Sequence, residues 1–203
     1  MEEKTFYTLY NKKNNEIPTG IYEEKKSKFI CYIFNISNED EAKQYVADIQ
    51  KENKTARHVV YIYSVKDKNN LVIRFSDDGE PQGTGTRAIY ETLQKESITN
   101  ICVIIVRYFG GILLGAGPLS RAYLKAYQIA NKECRREEIF DYIKYSFIVN
   151  YSNFDAVERL INKYLSNNDI KNINKEFNDN IKISLQIKEI LIEDFKNEIS
   201  KYM

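Results

Sequence analysis

Six consecutive apolar residues, Ile101 to Val106, run straight into a glycine-rich stretch, after which Leu119, Ala122, Tyr123, Ala126 and Ala130 recur at helical spacing. A mostly β-branched run of that kind reads as a strand buried on both faces. The later spacing reads as the apolar stripe of a helix. The pattern therefore predicts a strand, a glycine loop and a helix in succession, with the rest of the chain grouped around them. Upstream, residues 21–36 read as strand with a break near Lys26 and Ser27. Residues 38–51 place Ala42, Tyr45, Val46 and Ile49 on one helical face, with Ser37 and Asp40 as the capping pair. Residues 59–65 and 71–75 form a hairpin across a turn at 67–70, and residues 88–95 a short helix.

The last third has a pattern of its own. Residues 134–138 are charged and without period, which predicts a linker. Beyond it Ile143, Tyr145, Phe147 and Val149 alternate, as do Ile181, Ile183, Leu185 and Ile187, with a further strand at 170–177. Ser152 and Asp155 open a helix carrying Phe154, Val157, Leu160, Ile161, Tyr164 and Leu165, and Leu191, Ile192, Phe195 and Ile199 mark a last one. The order βαββα is one strand short of a ferredoxin-like unit. The expected domains are 1–137 and 138–203.

Composition narrows the class. At 203 residues the chain can bury a core in one domain or two, and a net charge of +1 excludes a histone-like or acidic-tail protein. The three cysteines have no metal-like spacing. Their odd number, and a start at Met1-Glu-Glu-Lys4 that lacks a secretory n-region, predict a reduced, cytoplasmic protein. No apolar run is long enough to span a bilayer, so no membrane partner is expected. The single histidine, His58, excludes a His-Glu-x-x-His zinc motif, and any Ser-His-Asp or Cys-His chemistry would have to use it. The glycine loop lacks the Gly-Lys-Ser/Thr ending of a phosphate-binding Walker loop.

Candidate chemistry concentrates between Gly79 and Gly117, where seven of the eight glycines lie. Gly110, Gly111, Gly115 and Gly117 shape a loop that feeds free N–H groups into a helix start, a natural place for an anion. Arg121, expected in the first helical turn, shares a side of that helix with Lys125, Gln128 and Lys132: either a solvated face, or one that waits for a phosphate or an acidic protein. Asp77, Asp78 and Glu80 crowd together beside Gln82 and Arg87, and carboxylates so dense need a cation. Magnesium with a phosphate ligand is one candidate. Pairing with Arg107 and Arg121 from the neighbouring loop is the other, and the preferred one. Tyr108 or Tyr123 could stack on a base, although either suits a core.

Phe75-Ser-Asp-Asp-Gly-Glu-Pro-Gln-Gly-Thr84, Arg107-Tyr-Phe-Gly-Gly-Ile112, Leu114-Gly-Ala-Gly117 and Leu119-Ser-Arg-Ala-Tyr123 resemble the signatures of the IMPACT/YigZ family, with Ser27-Lys-Phe-Ile30 and Ala56-Arg-His58 as weaker marks upstream. The chain departs from the family pattern in Gly83-Thr-Gly-Thr-Arg-Ala88 and at Pro118. The resemblance covers residues 18–135. It implies an α+β fold: a two-layer N-terminal domain like domain IV of elongation factor G and related ribosomal proteins, then a ferredoxin-like C-terminal domain. Eukaryotic relatives restrain the kinase that shuts down translation initiation during amino-acid starvation. The expectation is thus a cytosolic binding or regulatory protein linked to translation. It would bind nucleic acid, such as ribosomal RNA, or a translation-associated protein through Asp77, Asp78, Glu80, Gln82, Arg107, Tyr108, Gly110, Gly111, Gly115, Gly117, Arg121 and Lys125. No catalytic residue, metal ligand or cofactor is assigned. The alternative is a magnesium-dependent enzyme acting on a phosphorylated small molecule.

Overall fold

Every residue from Ile101 to Arg107 is buried, and the strand they form is the middle one of five. The structure is a computed structural model that describes residues 5–13, 16–67 and 70–203. Its elements are β1 (Phe6–Asn11), β2 (Thr19–Glu24), β3 (Ser27–Asn35), α1 (Glu39–Glu52), β4 (His58–Asp67), β5 (Asn70–Ser76), α2 (Arg87–Lys95), β6 (Ile101–Tyr108), α3 (Ala116–Asn131) and β7 (Cys134–Ile139), followed by β8 (Tyr142–Val149), α4 (Phe154–Ser166), β9 (Ile170–Phe177), β10 (Ile181–Lys188) and α5 (Ile192–Ile199). They divide into two units, residues 1–139 and 140–203.

In the first unit the sheet runs β2-β3-β6-β4-β5, with every neighbouring pair antiparallel. Strand alternation sends Ile101, Val103 and Ile105 towards α2 and α3, where Ile89, Leu93, Leu119, Ala122, Tyr123 and Ala126 meet them. Cys102, Ile104 and Val106 face the other way, onto Ala42, Val46 and Ile49 of α1. The mixed α+β class is as expected, and α1 adds a third layer to the two expected. The break at Lys25 and Lys26 is a tight turn with both residues at positive φ, +44° and +65°. That geometry matches the right-handed twist of the strands it joins. The middle of the hairpin turn at 67–70, Lys68 and Asn69, lies outside the described residues.

Three local expectations are corrected. Residues 134–138 are not a linker: β7 pairs antiparallel with β1, from Phe6 opposite Ile139 to Asn11 opposite Cys134. The cap of α1 is one residue later than expected. Asn38 accepts from the Glu41 N–H at 2.9 Å while the Glu41 carboxylate accepts from the Ser37 N–H at 2.8 Å. The helix at 154–166 starts from Asn153 with no side-chain cap, so Ser152 and Asp155 do not form one.

The second unit is a three-stranded antiparallel sheet in the order β8-β10-β9. Its core joins Phe147, Ile181, Ile183 and Leu185 to Val157, Ile161 and Tyr164 of α4 and Phe195 and Ile199 of α5. The chain order and strand order are those of a ferredoxin-like unit without its fourth strand.

Candidate functional site

The acidic loop after β5 is tied down by its own carboxylates. Asp77 accepts from the N–H groups of Gly83 (2.6 Å), Gly85 (3.0 Å) and Thr86 (2.9 Å), and from the Thr86 hydroxyl (3.0 Å). Thr86 is the N-cap of α2, so Asp77 orders both the loop and the helix it feeds. Asp78 adopts the left-handed conformation at φ +46° and accepts from the Val59 N–H at 2.6 Å. Its carbonyl oxygen lies 2.7 Å from His58 Nδ1. A carbonyl only accepts, so that nitrogen carries the proton.

Glu80 points inward. Its side chain is 3% exposed; Oε1 accepts from Arg107 Nη1 at 2.6 Å and from the Tyr123 hydroxyl at 2.7 Å, and Oε2 lies 3.7 Å from His58 Nε2. Four elements meet on this carboxylate: β4, the acidic loop, β6 and α3. The Arg107 guanidinium lies 5.5 Å from the Phe29 ring centre and 5.6 Å from that of Phe109, and its Nε has no hydrogen-bond partner among the described residues. Burial, and then the hydrogen bond to Glu80, push the Tyr123 phenol far above its ordinary value.

The glycine loop leaves β6 from both faces of the sheet. Tyr108 turns away from Arg107, towards the α1 layer, where its hydroxyl donates to Asn53 Oδ1 at 2.7 Å. It therefore anchors the loop and does not share a surface with Glu80. The Gly110 N–H donates to Ser27 Oγ at 3.2 Å, docking the loop on the turn between β2 and β3. Gly111 takes φ +83° and faces open space. On either side of the two glycines Phe109 and Ile112 are 43% exposed, Leu113 is 82% exposed, and Leu114 turns back into the core. Gly115 is the N-cap of α3, with Gly117 in its first turn.

The expected pairing of the acidic loop with arginines is found for Glu80 and Arg107 and not for the rest. Asp77 and Asp78 satisfy backbone amides instead. Arg121 and Lys125 are exposed and form no ion pair among the described residues. Because α3 begins at Ala116, Arg121 falls in its second turn rather than its first. It sits over β2, in electrostatic reach of Tyr22, while Asp78 sits at the start of β4, with β3 and β6 between the two strands. Gln82 is exposed. No group of three or more His, Cys, Asp or Glu able to hold a metal exists among the described residues. Sequence reasoning left His58 and Tyr123 out of this cluster. Tyr123 gave a signal, since a phenol on an apolar helix stripe needs a partner when buried.

The first unit is thus an antiparallel sheet with helices on both faces, carrying a carboxylate-ordered loop against a glycine loop that leads into a helix. Residues 25–130, more than half of the chain, match the family model of the Impact N-terminal domain. The chain belongs to the IMPACT family. It is 34% identical over 184 residues to an IMPACT family member of Haemophilus influenzae, covering 89% of this chain and 87% of that relative. It is 40% identical over 102 residues to the IMPACT family member YvyE of Bacillus subtilis, covering 50% of this chain and 46% of YvyE. Among solved structures, one described only as a hypothetical protein superposes with a TM-score of 0.65 at 25% identity, covering 97% of this chain and 92% of that one. No helix among the described residues is long and apolar enough to cross a membrane.

Proposed function

We propose that this is a cytosolic binding and regulatory protein linked to translation, which docks nucleic acid or a translation-associated protein through the glycine loop of its N-terminal domain. Residues 1–137 are that IMPACT-type domain in this reading, and residues 138–203 the ferredoxin-like one. The observation that carries it is the tip of the glycine loop. Leu113, at 82% exposure, stands in water beside Phe109 and Ile112 on a backbone held from below by Gly110 and Ser27. Large apolar side chains grouped on a fixed loop mark an interaction site, and a preorganised loop loses little entropy on binding. Arg121 and Lys125, exposed on the helix that the loop feeds, add positive charge that has no ion pair among the described residues. The acidic loop supports the site from beneath through Glu80 and Arg107 rather than reaching the partner itself. The link to translation comes from the family resemblance, not from the geometry.

The test is cross-linking with mass spectrometry in cell lysate, comparing wild type with Leu113→Ser and Arg121→Glu. A nucleic-acid partner predicts cross-links that fall steeply with salt and with Arg121→Glu. A protein partner predicts loss mainly with Leu113→Ser. The same cross-links in all three proteins would remove the glycine loop as the site.

A further inference from the structure

The second unit leaves two strand edges, and they are built differently. β10 is paired on both sides, so β8 and β9 are the outer strands. Along β9 the register shifts opposite Ser184 and Gln186, Asn172 sits at φ +54°, and Lys171, Lys175 and Glu176 bring charge. A local bulge and charged side chains are what keep a strand edge from pairing with another chain. β8 has none of this except Lys144. Its sequence, Tyr-Ile-Lys-Tyr-Ser-Phe-Ile-Val, pairs with β10 residue for residue from Tyr142 to Val149 without a shift, and no strand covers its other side among the described residues.

We infer that β8 is a self-association edge. Two copies of the chain join β8 to β8, antiparallel, about a twofold axis at Ser146, and make one continuous six-stranded sheet.

The occupant follows from the strand's own complementarity. Pairing must keep the two core faces together, so only registers that differ in steps of two residues are open. Centred on Ser146, each Tyr145 meets the other copy's Phe147 and each Ile143 meets Val149, an aromatic and an aliphatic pair on the core face. On the open face Ser146 meets its twin and Lys144 meets Ile148, so no like charges stand opposite each other. Cross-strand pairs of these kinds stabilise antiparallel sheets, whereas opposed like charges weaken them. The contact also covers Ile148, which is 57% exposed in one copy. It adds roughly eight main-chain hydrogen bonds. A standard interface buries about 1,600 Å², more than one strand edge supplies, so the association is weak and concentration-dependent.

The experiment is sedimentation equilibrium on the full chain from about 1 μM to about 500 μM, a range that brackets a micromolar dissociation constant. The apparent mass of wild type rises from 23.9 kDa towards twice that value. Ile148→Lys puts lysines opposite each other at two places in the joined strands and holds the mass at that of the monomer. Adding Lys144→Glu to that variant turns both contacts into opposite-charge pairs and restores the rise. Ile148 and Lys144 are both exposed, so neither change disturbs the core, and circular dichroism checks this. A constant monomer mass for wild type, or undiminished association of Ile148→Lys, overturns the edge. Failure of the double variant to reassociate overturns the register.

Discussion

Gly110 has no room for a side chain because of Lys26: a Cβ there would stand 2.0 Å from the Lys26 carbonyl carbon and 2.2 Å from its oxygen. Lys26 is itself held at φ +65°, so the turn cannot easily yield. Gly110→Ala is therefore expected to lower stability by about 3 kcal/mol, the upper end of ordinary overpacking, because backbone rather than a flexible side chain must move. Gly111→Ala meets open space and carries only the cost of positive φ, about 1 kcal/mol. Urea unfolding of both variants checks the order. Equal midpoints would mean that the loop is not docked on the turn.

Tyr123 and Tyr127 are neighbours on the buried face of α3, and both are fully buried, yet only one hydroxyl is used. Tyr123 donates to Glu80, whereas the Tyr127 hydroxyl has no partner among the described residues. Tyr123→Phe removes a hydrogen bond to a carboxylate and is expected to destabilise by about 2 kcal/mol. Tyr127→Phe removes an unsatisfied buried group and is expected to stabilise by about 1 kcal/mol. Thermal unfolding should move the melting temperatures in opposite directions. A loss of stability in Tyr127→Phe would mean that its hydroxyl does have a partner.

Glu80 is the acceptor that Arg107 and Tyr123 share, and Arg107 is itself only 5% exposed. Glu80→Ala leaves a buried guanidinium without its counter-charge. The expected cost is about 4 kcal/mol, because an unpaired buried charge is far worse than no pair at all. Glu80→Ala combined with Arg107→Met should recover most of it, since the Phe29 and Phe109 rings that flank the guanidinium suit an apolar side chain equally well. A denaturation series over the two single variants and the double decides this. A double variant as unstable as Glu80→Ala would show that the ion pair specifies the loop rather than balancing a charge.

How much of this was legible in the sequence depended on how many faces of each element are buried. β6 stood out because Ile101–Val106 is covered on both sides, and the strands of the second unit because strict alternation records one covered side. β1 and β7 left no such trace. They make a two-stranded ribbon in which Arg135, Arg136 and Glu138 face water, so the strand reads as a charged linker. In the site, crowded charge pointed correctly to Glu80 and Arg107. The same reasoning failed for Asp77 and Asp78, because loop amides can satisfy a carboxylate as well as an arginine can, and composition does not count amides. His58 joins the cluster through register, opposite Arg107 where β4 pairs with β6. No local pattern encodes that pairing. Arg121 was misplaced because the helix starts earlier than its apolar stripe suggests.

The buried thiols make stability fall in alkali. Burial pushes Cys102 from 9.0 up to about 12 and Cys134 up to about 11, and drives Cys31 well above its ordinary value. Below about pH 9 the folded and unfolded chains both keep these protons, and stability does not depend on the thiols. Above that the unfolded chain loses protons that the folded chain retains. The unfolded state then binds fewer protons, so the unfolding free energy decreases as pH rises until the folded thiols themselves ionise. Urea midpoints measured from about pH 8 to about pH 11 should change little up to about pH 9 and fall above it. Cys102→Ala and Cys134→Ala should each flatten the slope while lowering stability at neutral pH through lost packing. A wild-type profile that stays level to about pH 11 would mean that the thiols reach solvent in the folded protein.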